Sequence, residues 1–164
     1  MLQVRETMRI DLRNNQSDYG AYGLVVFIEN GTKAVKIFKR THAEEQANNV
    51  FNSEVEAYEK VSSDPKASEI TPKYFGKETI QQVIDKDGND VTNEYYTKLA
   101  YVMSYEEGPF YKLNTINEIQ WKQIHNIFKP IGVRYLIDCS VSLNEHHEVK
   151  CVIDFATTEY ELWE

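Results

Sequence analysis

Three charged side chains stand inside apolar stretches: Lys36 in "AVKIF", Glu54 in "NSEVEAY" and Asp154 in "VIDFA". A charge in such surroundings is costly unless a counter-charge or a ligand stabilises it. Each therefore marks a place where chemistry could be done. A lysine above an apolar floor is a point cation suited to phosphate. A carboxylate at the end of an apolar strand suits a hard divalent cation. A carboxylate in a helix stripe either meets a cation or leans out to solvent at the edge of the stripe. Both readings fit Glu54, and Lys36, eighteen positions earlier, is the candidate cation.

The elements that must position these groups are legible in outline. Residues 20–40 read as a β-hairpin, because Asn30-Gly31 supplies the two positive-φ positions of a type I′ turn. With those two as the turn, Glu29 faces Thr32, Phe27 faces Ala34 and Val25 faces Lys36. Alternation then puts Val25, Phe27, Ala34 and Lys36 on one face. Gly20 and Gly23 fall at the open end, where a missing Cβ lets backbone amides approach a ligand. The same features also fit a hairpin with a purely structural role. Residues 43–61 read as a helix whose stripe Phe51, Glu54, Val55, Tyr58 follows i, i+3, i+4, i+7 spacing.

Further along, "SSDPKASEITPK" reads as a polar loop and "ETIQQVIDKDGNDVT" as a hairpin turning at Asp87-Gly88. Residues 95–105 read as a strand. Residues 115–130 read as a second helix, with Thr115 and Glu118 as a capping box and Pro130 beyond its end. "VRYLIDCSVSL" and "EVKCVIDF" read as strands around the turn "NEHH". The order of strands, helix, strands, helix, strands is an α+β pattern.

Bulk properties set bounds. A chain of 164 residues that is 41% hydrophobic can bury a core, as one domain or two small lobes. The formal net charge of -8 argues against a nucleic-acid binder or an anionic-membrane binder, whose affinity rests on a basic face. The two cysteines, Cys139 and Cys151, are too few for a metal or disulfide framework. They are expected as reduced, half-buried thiols, with a disulfide across a hairpin as the alternative. The start has no apolar leader segment, so a cytoplasmic setting is expected, or that of a secreted effector acting in a host cytosol. His146-His147 reads as a solvated turn rather than a metal site. Phe110, Tyr111 and Trp163 read as packing residues, with an exposed docking patch as the alternative.

Taken in order, these pieces resemble the protein kinase superfamily over roughly residues 16–160. The glycine-rich motif G-x-G-x-x-G-x-V is similar to the run Asp18, Tyr19, Gly20, Ala21, Tyr22, Gly23, Leu24, Val25, with Asp18 in place of the first glycine. "AVKI" resembles the V-A-I-K strand, and Glu54 resembles the helix glutamate paired with its lysine. "TPKYFG" looks like the entry to the fourth strand. "LAYVMSYEEG" looks like the fifth strand and hinge, with Met103 as gatekeeper. "IDFA" resembles D-F-G, with Ala156 in place of the glycine.

The resemblance implies ATP and Mg²⁺ as ligands. Gly20, Gly23 and Lys36 would hold the phosphates, and Glu54 would position Lys36. Val25 and Ala34 would sandwich adenine, with Met103 and Tyr105 at the hinge. Asp154 would bind Mg²⁺. The catalytic-loop motif H-R-D-x-x-x-x-N departs most. Counting back at the usual hairpin length puts Tyr135, Leu136 and Ile137 at H-R-D and Ser142 at the asparagine. Shifting by one makes Asp138 the catalytic aspartate, with Asn144, six residues on, as a second metal ligand.

The expected fold is therefore α+β and protein-kinase-like. It has a five-stranded N-lobe sheet with one helix (1–108) and a strongly reduced C-lobe of one helix and a β-hairpin (109–164). The expected function is nucleotide binding by a pseudokinase or severely reduced kinase acting through a protein partner, which could supply the missing C-lobe surface. The alternatives are an active minimal Ser/Thr protein kinase acting on a protein substrate, and a non-catalytic inhibitor or immunity-type interaction module.

Overall fold

A computed structural model describes residues 8–20 and 22–158. The fold is α+β, and the chain divides into two compact units. The first takes the described residues up to Phe51 together with Phe75–Met103. The second takes Asn52–Tyr74 and the described residues from Ser104 onward.

In the first unit, strands β1 (Met8–Asp11), β2 (Ser17–Tyr19), β3 (Gly23–Ile28) and β4 (Lys33–Lys39) precede helix α1 (Glu44–Ser62). Strands β5 (Tyr74–Glu78), β6 (Ile80–Ile84) and β7 (Tyr95–Ser104) follow. A five-stranded sheet runs in the order β2-β3-β4-β7-β5, and β1 pairs separately with β6 in parallel. The β3–β4 register is the one the turn demands: Val25 faces Lys36 and Phe27 faces Ala34. Asn30 and Gly31 take φ of 58° and 78°, and Glu29 joins them at 51°. Thr32 closes the turn by donating its amide to the Glu29 carbonyl at 3.2 Å.

Alternation gives this sheet two unlike faces. Leu24, Val26, Val35 and Ile37 are wholly buried in a cluster with Ile10 of β1 and Val83 of β6. Each such side chain contributes about 2 kcal/mol by leaving water. The β1–β6 pair is thus the cover of this face. The opposite face carries Ala34, Lys36 and Phe38. Phe38 meets Phe51 of α1 edge-on at 5.7 Å, and Phe51 in turn lies 6.1 Å from Tyr101 of β7.

The second unit holds the rest of α1, helix α2 (Pro65–Glu69), β8 (Phe110–Lys112), helix α3 (Glu118–Phe128), β9 (Ser140–Leu143) and β10 (Val149–Ile153). Its three strands form an antiparallel sheet in the order β10-β9-β8. Its core is aromatic. Phe155 lies 4.7 Å from Tyr58 of α1 and 5.4 Å from Phe128 of α3, ring centre to ring centre. Tyr58 also stacks on Tyr74 at 5.7 Å. These contacts draw the second half of α1 into this unit, so the division is not the simple one at residue 108.

Several local expectations are corrected. The stretch read as a polar loop contains α2, started by Asp64, whose carboxylate accepts the Ala67 amide at 2.9 Å, with Pro65 at the first helical position. The capping box of α3 is Asn117 with Gln120, not Thr115 with Glu118. The turn at Gly88 is present, but its returning arm is no full strand: it bridges Ile84 to Asp90, and Val91 donates its amide to the Val83 carbonyl at 2.9 Å, while β6 pairs in parallel with β1. In "VRYLIDCSVSL" only Ser140–Leu143 is strand, and residues 137–138 form a turn.

Gly23 explains part of the β3–β4 packing. A Cβ there would lie 2.1 Å from the Ile37 carbonyl oxygen. At Gly20 the nearest atom would be 3.9 Å away. Gly23→Ala should therefore destabilise the fold by about 3 kcal/mol. Gly20→Ala should change it by less than about 0.5 kcal/mol. Urea unfolding of the two variants checks the contrast.

Candidate functional site

The first unit presents the lysine face. Lys36 is half-buried, directly across β3–β4 from half-buried Val25, and Ala34 beside it is buried. The Lys36 ammonium lies 5.3 Å from the centre of the Phe38 ring, over its face. Met103 is two residues beyond Tyr101 on β7, so it shares the face of Tyr101, which α1 ties to the Phe38 face through Phe51. The sheet thus brings Val25, Ala34, Lys36 and Met103 to one face.

The glycines act differently from the expectation. Gly20 donates its amide to the Gly23 carbonyl at 2.8 Å, so that amide is used in closing the β2–β3 turn. Gly23 is buried and serves close packing against β4. Ala21, between them, lies outside the described residues. Tyr22 at this turn packs on His42, with rings 4.3 Å apart. The loop is held by its own hydrogen bond and an aromatic contact, and Gly20 is exposed.

The second unit presents the carboxylates. Glu54 is only 3% exposed. It sits one helical turn before the buried phenol of Tyr58, whose pKa is driven well up by burial, then by Asp154 and then by Glu54. The same phenol therefore feels both carboxylates. Asp154 itself is exposed, while Phe155 and Ala156 after it are wholly buried. Its φ is 63°, in the left-handed region that aspartate enters more readily than most non-glycine residues.

Asp138 lies close to the same end of the sheet. Tyr135 and Ala156 exchange backbone hydrogen bonds of 3.0 and 3.1 Å. Asp138 is three residues after that bridge and Asp154 two residues before it, which keeps both within about 10 Å of it. The Asp138 carboxylate is exposed and accepts the Tyr135 hydroxyl at 2.6 Å. Both aspartates act on the buried Cys139 thiol, which is pushed up to about 12 by burial first and then by Asp154, with Lys112 opposing and Asp138 adding. Lys112, on β8, donates to the Asp138 carbonyl at 3.4 Å. Nothing in its sequence surroundings marked it.

Other expected residues do not converge here. Asn144 sits in the β9–β10 turn, where its side-chain oxygen accepts the amides of His146 and Glu148, both at 2.9 Å. It is at the opposite end of β10 from Asp154, five strand residues or roughly 16 Å away. Ser142 is buried within β9. Tyr105 is 40% exposed, just past Ser104, whose amide and hydroxyl are both engaged with the backbone of Lys73. Trp163 lies outside the described residues. Cys139 and Cys151 are not partners: Cys151 faces Ser142, and both thiols are free and buried. An open depression of about 440 Å³ beside Glu56, Glu59 and Asp64 includes none of the candidate residues.

Among the described residues no three His, Cys, Asp or Glu side chains gather as a metal cage, and no helix is long and apolar enough to cross a membrane. No protein-family model, curated protein or solved structure matches the chain.

The thiols give a pH dependence. Burial raises both from 9.0 to about 12, so the folded state keeps protons that the unfolded chain loses. Their contribution to stability is intact below pH 9 and is lost as pH rises from 9 towards 12. Urea midpoints should fall across that window, and less steeply in a Cys139→Ala, Cys151→Ala double variant. At pH 8, alkylation of both thiols should require denaturant.

Proposed function

We propose that this chain is a nucleotide-binding, kinase-like protein, a pseudokinase or severely reduced kinase that acts through a protein partner. The observation that carries the reading is the pairing of Lys36 with Val25 on a half-buried sheet face, with Ala34 on the same face. On this reading Val25 and Ala34 contact adenine, Met103 and Tyr105 border it, and Lys36 meets the phosphates. Glu54 is a buried carboxylate on α1 that a counter-charge would stabilise. Gly20 keeps the β2–β3 turn slim, while Gly23 serves packing. Asp154, with Asp138 near it, offers the hard oxygen donors that Mg²⁺ takes when it shares its shell with water and phosphate oxygens. When bound, Mg²⁺ would neutralise phosphate charge.

A second reading, an active minimal Ser/Thr protein kinase, is favoured by one observation. Asp138 stands on an exposed turn and not in a continuous strand. A carboxylate so placed, and oriented by the Tyr135 hydroxyl, can accept a proton from an acceptor hydroxyl. Asn144 has no part in either reading, because its side-chain oxygen is committed to the β9–β10 turn.

Calorimetry with ATP and Mg²⁺ tests both. Wild-type protein should bind at or below millimolar ATP. Lys36→Ala should weaken binding at least about tenfold, the loss of one charge-assisted contact. Asp138→Asn should leave binding unchanged, and Asp154→Ala should remove its dependence on Mg²⁺. No binding by the wild type at millimolar ATP overturns the proposal. Transfer of the γ-phosphate to a protein, lost in Asp138→Asn, selects the second reading.

A further inference from the structure

One hydroxyl holds the segment that follows Asp154. Ser53 immediately precedes Glu54 on α1 and is 4% exposed. Its Oγ accepts the amide of Thr157 at 3.1 Å and that of Thr158 at 2.9 Å. A serine hydroxyl has two lone pairs and one proton. The Thr158 hydroxyl also reaches this oxygen, at 3.0 Å, and Thr157 Oγ1 lies 3.2 Å from it, while the Thr157 amide is shared with the Ser53 carbonyl at 3.3 Å. Thr157 Oγ1 can pass its own proton on to Glu56 Oε2, 3.4 Å away.

This grip completes a sequence of restraints around the left-handed aspartate. β10 ends at Ile153, directly before it. Phe155 is wholly buried against Tyr58 and Phe128. Ala156 is bridged to Tyr135, and Thr157 and Thr158 are held by Ser53. These contacts fix the backbone on the carboxy-terminal side of the left-handed aspartate.

We infer that Ser53 is a positioning residue for Asp154. Its hydroxyl, one residue from Glu54, fixes the 157–158 backbone and with it the conformation that presents the Asp154 carboxylate. Ser53 touches neither nucleotide nor metal. The functional part of this inference rests on the nucleotide reading above, in which Asp154 is the Mg²⁺ ligand.

The test uses the full chain with Ser53→Ala, Ser53→Thr and Thr157→Val, and two measurements. The first is amide hydrogen exchange over residues 154–158. The second is ATP affinity with Mg²⁺ and with a chelator. Ser53→Ala should speed exchange in this segment about tenfold, the loss of hydrogen bonds to one hydroxyl. It should shrink the Mg²⁺-dependent gain in ATP affinity by a similar factor and leave metal-free affinity unchanged. Ser53→Thr, which keeps the hydroxyl, should restore both. Unchanged exchange overturns the inference, as does an equal loss of metal-free and Mg²⁺-dependent affinity. Should Ser53→Ala fail to fold, Thr157→Val removes the hydroxyl that bonds both Ser53 and Glu56. It should speed exchange in the same segment by a smaller factor, and no change there overturns the inference. Should the wild type bind no ATP, the nucleotide reading fails on its own. Exchange then decides whether Ser53 holds the Asp154 backbone: acceleration confined to 154–158 and reversed by Ser53→Thr supports it.

Discussion

The reversal at Asn30 and Gly31 sets β3 against β4, and both faces of the first sheet depend on that register. Side chains alternate along a strand, so a slip of one residue would exchange the faces. Lys36 would move into the cluster now filled by Val35 and Ile37, which are fully buried. Burying an ammonium without a partner there would cost on the order of several kcal/mol, and two large aliphatic side chains would be driven out of the core. The pairing of Val25 with Lys36 is therefore fixed by the apolar side of the sheet as much as by the turn. Gly23 tightens the same constraint, since only a residue without Cβ tolerates the Ile37 carbonyl so close.

In the second unit an apolar residue has the corresponding role. Phe155 is inserted between Tyr58 and Phe128, and it fixes the chain on either side of it. Asp154, just before, is left exposed in a left-handed conformation. Ala156, just after, is bridged to Tyr135, and this brings the Asp138 turn to the same end of the sheet. The carboxylates are thus placed by their uncharged neighbours. The cluster also makes Tyr58 and Cys139 hard to ionise, because burial and nearby carboxylates act on both in the same direction.

What was legible follows from the range of the interactions involved. The β3–β4 register and the lysine face were readable because turn chemistry and alternation are local. Helix α1 was readable because its apolar stripe and acidic first turn are local too. The misreadings have physical reasons. Alternation in "VRYLIDCSVSL" suggests a strand, but Tyr135 finds its partner in Ala156, and the chain turns before β9. Thr115 and Asn117 both offer caps, and the helix takes the later one, since Gln120 returns a hydrogen bond to the Asn117 backbone. The start of α2 carried a local signal, Asp64-Pro65, hidden in a polar stretch. The parallel pairing of β1 with β6 joins segments about seventy residues apart and left no mark in either.

By itself the sequence determined which residues carry charge inside apolar stretches, the turn that puts Lys36 across from Val25, and the helix that carries Glu54. Each depends on neighbours within a few positions. Only the tertiary structure decided that Gly23 serves packing, that Asn144 stands away from Asp154, and that Ser53 grips Thr157 across 104 positions. Those outcomes depend on which distant backbone segments meet, and that is settled by burying Phe155, Tyr58 and the β3–β4 core together with their neighbours. No local pattern encodes it.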